Sequence, residues 1–143
     1  MMMRSDSFIM VKVCARGNML VRQFKAASIE VKCALFRAYC YSIYGMSLWA
    51  NYKAVTLNRL RVNYNNIARR LANVPPWNSA SELFVGLRLK GFYELRRSSC
   101  YSLRTRVQQC SNSLVQQVVN SDARWNSPLW RKWEWLLSVP HRG

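Results

Sequence analysis

Between residues 57 and 71, apolar side chains recur at alternating intervals of three and four residues: Leu57, Leu60, Tyr64, Ile67 and Leu71. This spacing places all of them on one face of an α-helix. Thr56 precedes the pattern and is placed to cap the helix N-terminus. Pro75 and Pro76 follow it, and a proline pair lacks backbone donors and pushes its predecessor out of helical geometry. We therefore predict a helix from about residue 56 to 73, with Tyr64 in the core.

Two further helical patterns precede this helix. The first covers about residues 7–26, and Gly17 and Asn18 weaken its middle. The second runs from Ser28, a suitable N-cap, to about Tyr44, where Gly45 breaks it. Since the second pattern is apolar nearly all round, we expect it to be the buried central helix, packed against the third.

The C-terminal half also reads as helical. Ser79 and Glu82 have the spacing of a capping box before a short helix that ends near Gly86 or Gly91. A longer helix is expected over about residues 92–109 and a smaller one over about 113–120, and the last begins at Ser127-Pro128. No alternating strand pattern of useful length competes with these segments. The predicted fold class is all-α, with five to six helices packed as an irregular bundle in a single unit of 143 residues.

The charge balance points to an acidic partner. The chain has 22 Lys and Arg against 6 Asp and Glu, a formal net charge of +16 at pH 7. Such a surplus is typical of proteins that bind nucleic acid. The few carboxylates lie far apart, and His141 lies two residues from the C-terminus. We therefore expect no catalytic residues, no metal site, no cofactor and no enzymatic activity of the chain on its own.

The cysteines and the hydropathy indicate an intracellular protein, nuclear or cytoplasmic. Five cysteines form an odd set, and their gaps do not match the close pairs of zinc modules: Cys14, Cys33, Cys40, Cys100 and Cys110. Buried free thiols are expected. The longest uncharged stretch, residues 38–52, is shorter than the roughly 20 residues that a membrane-spanning helix needs. No contact with a membrane is predicted.

The third helix carries the strongest candidate binding surface. At 100° per residue, four polar side chains fall within about 60° of one another: Arg59, Asn63, Asn66 and Arg70. Arg61 and Arg69 widen the basic surface. Guanidinium and amide groups suit contacts to phosphates, sugars and base edges. The alternative is an ordinary solvated face, because any surface helix of so basic a protein shows arginines.

Aromatic residues give two weaker patterns. On the helix after Phe92, one arc interleaves an aromatic ring with cations, as base-stacking surfaces do: Tyr93, Arg97, Cys100 and Arg104. Packing within the fold is the alternative, and we favour it. The chain also has six tryptophans, four of them in its last nineteen residues. We expect these to close the core or to mark the surface left by a missing partner.

Four segments in order resemble the region that follows the polymerase core in reverse transcriptases of non-LTR retrotransposons: CARGNMLVRQF, VKCALFRAYCYSIYGMSLW, RLRVNYNNIARRLANVPPWNSASELFV and VNSDARWNSPLWRKW. The resemblance covers about Val13 to Trp133. Its most specific pieces are Tyr64-Asn65-Asn66, Arg69-Arg70-Leu71, Pro76-Trp77 and Ser79-Ala80-Ser81.

The resemblance implies a thumb and the helical segment beyond it, which hold template and primer against a catalytic palm. Residues 1–73 would be the thumb-like helices and residues 79–143 the C-terminal segment. The family's Tyr-x-Asp-Asp motif has no counterpart here, since neither Asp6 nor Asp122 has an acidic neighbour. The resemblance thus implies a C-terminal fragment or a decayed copy without polymerase activity. Carried over by motif, the residues nearest nucleic acid would be Arg16, Asn65, Asn66, Arg69 and Arg70.

Two classes of function follow. The first is a non-catalytic module that binds RNA, DNA or an RNA–DNA hybrid, with nucleic-acid-binding residues Arg16, Arg59, Asn63, Asn65, Asn66, Arg69, Arg70, Arg97 and Arg104. The second is a helical protein-interaction fragment, or an expressed relic, that needs a missing polymerase core and has no activity alone. Salt-sensitive binding by a monomer favours the first, whereas aggregation or exposed apolar surface favours the second.

Overall fold

The computed structural model of the chain describes residues 2–41, 46 and 53–139, with side chains from residue 10 onward. This part is all-helical and contains no strand. It holds eight helices: α1 (Met2–Gln23), α2 (Ile29–Cys40), α3 (Ala54–Leu71), α4 (Ala80–Gly86), α5 (Phe92–Gln108), α6 (Ser113–Asn120), α7 (Ala123–Asn126) and α8 (Pro128–Ser138). The all-α class is confirmed, but the number of helices exceeds the predicted five to six.

The chain divides into two compact units. The first combines residues 2–41 and 53–93, and the second combines residue 46 with residues 94–139. The division falls in the first turn of α5. The assignment of residues 1–73 to thumb-like helices and of residues 79–143 to a C-terminal segment stays a prediction.

Three of the predicted helix starts are confirmed by their caps. The hydroxyl oxygens of Ser28, Ser79 and Ser127 each accept a hydrogen bond, 3.4 Å long, from the backbone N–H three residues on. Helix α1 begins at Met2, five residues before the predicted start. The start of α3 was also predicted wrongly. The helix begins at Ala54, with Lys53 in the N-cap position, so Thr56 lies inside the first turn. The predicted end of α2 at Tyr44 and Gly45 lies outside the described residues.

Tyr64 is the centre of the first unit's core. Its side chain is fully buried, and its ring lies 5.1 Å from Phe36, 5.4 Å from Phe84 and 6.0 Å from Phe92, measured between ring centroids. Its hydroxyl donates a 2.7 Å hydrogen bond to the carbonyl of Lys90. The ring and the hydroxyl together fix α3 against α2, α4 and the segment before α5, and the predicted burial of Tyr64 is confirmed.

The expectation that α2 is buried on all sides is wrong. Cys33, Phe36 and Cys40 are buried, whereas Val31 and Tyr39 on the other side of the helix are 46% and 44% exposed. The helix therefore packs with one face, and several of its apolar side chains remain at the surface of this unit.

Of the helix pairs in the described residues, α1 and α3 have the most extensive contact. Gly17 of α1 lies against Ile67 of α3 at this contact. A Cβ atom built on Gly17 would lie 2.5 Å from Cγ1 and 2.9 Å from Cγ2 of Ile67. These atoms are attached to the branched Cβ of a buried side chain, so they cannot easily move away. The glycine that seemed to weaken α1 is thus what allows the two helices to meet.

A left-handed residue ends α3 and another ends α4. Asn73 (φ 56°) follows α3, and Arg88 (φ 53°) follows α4. After α3, the N–H of Asn73 donates to the carbonyl of Arg70, and that of Val74 to the carbonyl of Arg69. This is the Schellman arrangement, which satisfies the last carbonyls and turns the chain back toward the helix. The predicted end of the helix before the proline pair is confirmed.

The second unit has its own core. Four buried side chains form it: Cys100, Val119, Trp130 and Trp133. The Trp130 and Trp133 rings lie 5.9 Å apart between centroids. Part of the tryptophan-rich C-terminal segment therefore closes a core, as expected.

We predict that Gly17→Ala lowers the free energy of unfolding by about 1–3 kcal/mol, because the added methyl group overpacks the α1–α3 contact. Gly86→Ala is the matched control, since a Cβ there meets nothing within 4 Å. It should leave stability unchanged or raise it by up to about 1 kcal/mol. Urea unfolding followed by circular dichroism measures both variants. Equal stability of the two would contradict the described helix contact.

Candidate nucleic-acid interface

A pocket of about 320 Å³ opens in the first unit beside the C-terminal half of α3. We call it the α3 pocket. Its apolar lining comes from three places in the chain: Cys14 of α1, Ile67 of α3, and Val74 and Pro76 of the turn after α3. Its polar lining comes from α3 alone: Asn63, Asn66, Arg69 and Arg70. Four of the residues predicted to bind nucleic acid therefore share one pocket.

The local fold explains how these residues meet. Asn63, Asn66 and Arg70 recur at intervals of three and four residues, so they share one edge of the helix beside Ile67. The Schellman turn at Asn73 then brings the following chain back to this edge. Helix α1 closes the remaining side because Gly17 lets it lie close to Ile67.

Arg69 links α3 to the turn that follows it, in addition to carrying a positive charge. Its Nε donates to the carbonyl of Asn78 at 2.9 Å, and its Nη1 donates to Oδ1 of Asn66 at 2.9 Å. The first bond holds the turn over residues 74–78 against α3. The second bond fixes the amide of Asn66, so that its Nδ2 group carries the donors left for a ligand.

Arg70 links α3 to α1 at the rim of the pocket. Its Nη1 donates to Oδ1 of Asn18 at 2.8 Å, and the side chain is exposed. A guanidinium group has five N–H donors, so one such bond leaves donors for a phosphate. Both Arg69 and Arg70 also lie in the last turn of α3, where the helix dipole favours positive charge.

The other predicted residues of the first unit do not line the pocket. Arg59 is exposed about three turns before Arg70, and Asn65 is half-buried. Arg16 is exposed on α1 and lies close enough to Cys40 to act on its thiol. Burial raises the pKa of Cys40 to about 11, and the nearby Arg16 charge opposes that rise.

Arg61, which widens the basic surface of α3, is bonded within the helix. Its Nη2 and Nε donate to Oδ1 of Asn58, one turn earlier, at 2.8 and 3.2 Å.

Arg97 and Arg104 belong to the second unit, where both are bonded to the C-terminal part of the chain. Arg97 donates to the carbonyls of Val139 at 2.8 Å and Leu137 at 2.9 Å. Arg104 forms an ion pair with Glu134, with 2.7 Å between Nη2 and Oε1. Cys100, between them on the same arc, is fully buried. These bonds agree with the packing alternative for this arc, and binding of nucleic acid by Arg97 and Arg104 stays a prediction.

Three tryptophans of the described residues remain at the surface. Trp77 is 83% exposed, Trp125 48% and Trp135 55%. In the second unit, Arg124 lies over Trp125 and Lys132 over Trp135, each 4.8 Å from the ring centroid. Trp49 lies outside the described residues. The expectation that tryptophans close the core therefore holds for Trp130 and Trp133 alone among the described ones.

Sequence reasoning missed the residues that complete the α3 pocket from outside α3. Cys14, Val74, Pro76 and the Arg70 partner Asn18 carry no binding pattern of their own. One local signal could have placed Val74 and Pro76. Asn73 directly precedes this proline-rich stretch, and asparagine tolerates the left-handed geometry that turns the chain back here.

All five cysteines are free thiols. Among the described residues, no three His, Cys, Asp or Glu side chains cluster so as to hold a metal ion. No helix in the same residues is long and apolar enough to span a membrane.

No protein-family model, curated protein or solved structure matches the chain. The resemblance to reverse transcriptases of non-LTR retrotransposons therefore stays a prediction based on the quoted segments.

We predict that Arg69→Ala lowers the free energy of unfolding by about 1–2 kcal/mol, because it removes two hydrogen bonds that hold the turn after α3. Arg61→Ala removes an equal charge from the same helix, but its bonds reach one turn along α3 alone. It should cost less than about 0.5 kcal/mol. Urea unfolding separates the two variants, and a cost for Arg69→Ala no larger than that for Arg61→Ala would show that Arg69 braces nothing.

Proposed function

We propose that this chain is a non-catalytic nucleic-acid-binding helical module that resembles the C-terminal part of a retrotransposon RNA-directed DNA polymerase. It binds the backbone of a template or primer through α3 and the adjoining turn. Its partners are RNA, DNA or an RNA–DNA hybrid, in the nucleus or the cytoplasm, and a polymerase core supplied by another protein region is a further partner.

The observation that carries this proposal is the uncompensated charge of the segment that forms the α3 pocket. Residues 53–78 include five cationic side chains and no acidic one: Lys53, Arg59, Arg61, Arg69 and Arg70. Arg59 and Arg70 are exposed on one face of α3, next to the amides of Asn63 and Asn66. Arginine and asparagine side chains are common partners of phosphate and sugar oxygens. A phosphate backbone is therefore the ligand that best suits this face.

The non-catalytic part of the proposal comes from the sequence. Polymerase chemistry of the related kind needs paired aspartates, and neither Asp6 nor Asp122 has an acidic neighbour. The chain would hold a substrate whose reaction takes place on another polypeptide or domain.

A protein-interaction fragment is the second candidate, and one feature of the second unit favours it. Leu114 and Val118, one turn apart on α6, are 69% and 61% exposed. Trp125 and Trp135 are also exposed in this unit. Exposed apolar side chains of this size are typical of surfaces that pack on a partner.

The proposal is tested by fluorescence-anisotropy titration of the purified chain with a blunt RNA–DNA hybrid, at low and near-physiological salt. Duplex DNA and single-stranded RNA are the comparators. We expect saturable binding that weakens steeply with salt, because bound cations release counterions from the nucleic acid. The double variant Arg59→Ala/Arg70→Ala should reduce the slope of log Kd against log salt by about two.

Arg106→Ala/Arg131→Ala is the matched control. Both arginines are exposed in the second unit, so this variant removes the same charge from elsewhere. It should change the slope by less than the α3 variant does. Equal losses would show that binding follows net charge rather than the α3 face. No binding at low salt by a monomeric, helical sample would overturn the proposal, and aggregation with dye-binding apolar surface would favour the interaction fragment instead.

A further inference from the structure

The α3 pocket has apolar lining that the binding of a phosphate group does not require. Arg70 and the remaining donors of Arg69 would be enough to bind a phosphate group at the protein surface. The pocket adds apolar lining from Val74 and Pro76 of the turn after α3 and from the largely buried Ile67. Apolar walls of this kind fit a ligand with apolar faces as well as a charged group.

The polar lining is rich in donors. Arg69 Nη1 donates to Oδ1 of Asn66, and the two N–H bonds of the Asn66 Nδ2 group are the donors that this amide offers to a ligand. Arg70 offers the donors that it does not use on Asn18. A ligand with several acceptor oxygens or nitrogens therefore suits this edge. The carbonyl oxygens of a nucleobase and the oxygens of its phosphate are such acceptors.

The volume of the pocket limits the ligand to a small unit. At about 320 Å³, it lies at the lower end of the range of small-molecule sites, roughly 300–1,000 Å³. It has room for about one nucleotide. A base held in a duplex is stacked and paired, so it would have to leave the helix before its faces could reach the walls.

Trp77 follows Pro76, a lining residue of this pocket, directly in the chain. It is the most exposed large apolar side chain in the described part of the chain, at 83%. The turn that carries it is held at both sides, because Asn78 donates its N–H to the carbonyl of Pro75 at 3.1 Å and accepts from Nε of Arg69 at 2.9 Å. An exposed indole ring on a turn whose backbone is held in this way is suited to stack on a base.

We propose that the α3 pocket binds one unpaired nucleotide of a single-stranded nucleic acid, with the base against the apolar walls and Trp77 stacked on a neighbouring base. This inference rests on the proposed function and names the form of nucleic acid: a single strand, such as the unpaired part of a template. Arg70 binds the phosphate of the inserted nucleotide, and Asn66 donates to the edge of its base.

The first test compares three ligands with the full chain by fluorescence anisotropy at one salt concentration. The ligands are an oligouridylate of about 12 nucleotides, a base-free strand with the same number of phosphates, and a blunt RNA–DNA hybrid of the same length. We expect the oligouridylate to bind at least about fivefold more tightly than the base-free strand. It should also bind more tightly than the hybrid.

Trp77→Ala is the decisive variant. Since Trp77 is exposed, its loss should not unfold the chain. It should weaken oligouridylate binding at least about fivefold and leave binding of the base-free strand within about twofold. Trp135→Ala removes another exposed tryptophan, on α8 of the second unit, and should leave both affinities within about twofold.

Cys14 gives a direct readout of pocket occupancy. It is one of the lining residues and is half-buried, as is Cys110 in the second unit. Alkylation by N-ethylmaleimide, followed by peptide mass spectrometry, measures both thiols in one sample. The oligouridylate should slow the labelling of Cys14 and not that of Cys110, and the base-free strand should slow neither.

The outcomes separate this inference from the proposed function. Tight, salt-sensitive binding of all three ligands alike, with no effect of Trp77→Ala and no protection of Cys14, would overturn the single-strand inference and leave phosphate binding in place. Absence of binding to every ligand at low salt would overturn both.

Discussion

The contact between α1 and α3 at Gly17 is the constraint on which the candidate site depends. Without a side chain at this position, Ile67 can lie against the backbone of α1. That approach brings Cys14 to the wall of the pocket and Asn18 to the guanidinium of Arg70. Tyr64, one turn before Ile67, is bound into the aromatic core. With α3 held in this way, its polar edge is what remains for a ligand.

The arginines of this chain have two roles, which the net charge does not distinguish: some hold the fold together, and others are exposed to a ligand. Arg69 binds an amide oxygen and a backbone carbonyl, and Arg97 binds two carbonyls near the end of α8. The planar guanidinium fork suits such double contacts, which a lysine ammonium would not reproduce. Arg59 is exposed at the surface instead. The net charge of +16 therefore counts both arginines that stabilise the fold and arginines that can bind a phosphate backbone.

The parts of the fold that sequence could predict are those set by local spacing and caps. The leucine-tyrosine repeat gave α3 its buried face, and Ser28, Ser79 and Ser127 gave three helix starts. The short helix α7 was not predicted, because four residues are too few to show a helical period. The α3 pocket was predictable in its α3 half, whose polar edge follows from helical spacing. Its other half was not, since Cys14 and the returning turn reach α3 through packing that no local pattern reports.

The most direct test of the account is hydrogen exchange of the full chain, free and saturated with single-stranded RNA, followed by mass spectrometry. If α3 and the turn after it form the interface, slower exchange in the complex should be concentrated in peptides that cover residues 10–20 and 59–78. The helices α6, α7 and α8 should exchange as they do in the free chain. Slower exchange confined to those three helices, with α3 unchanged, would contradict the assignment of binding to α3.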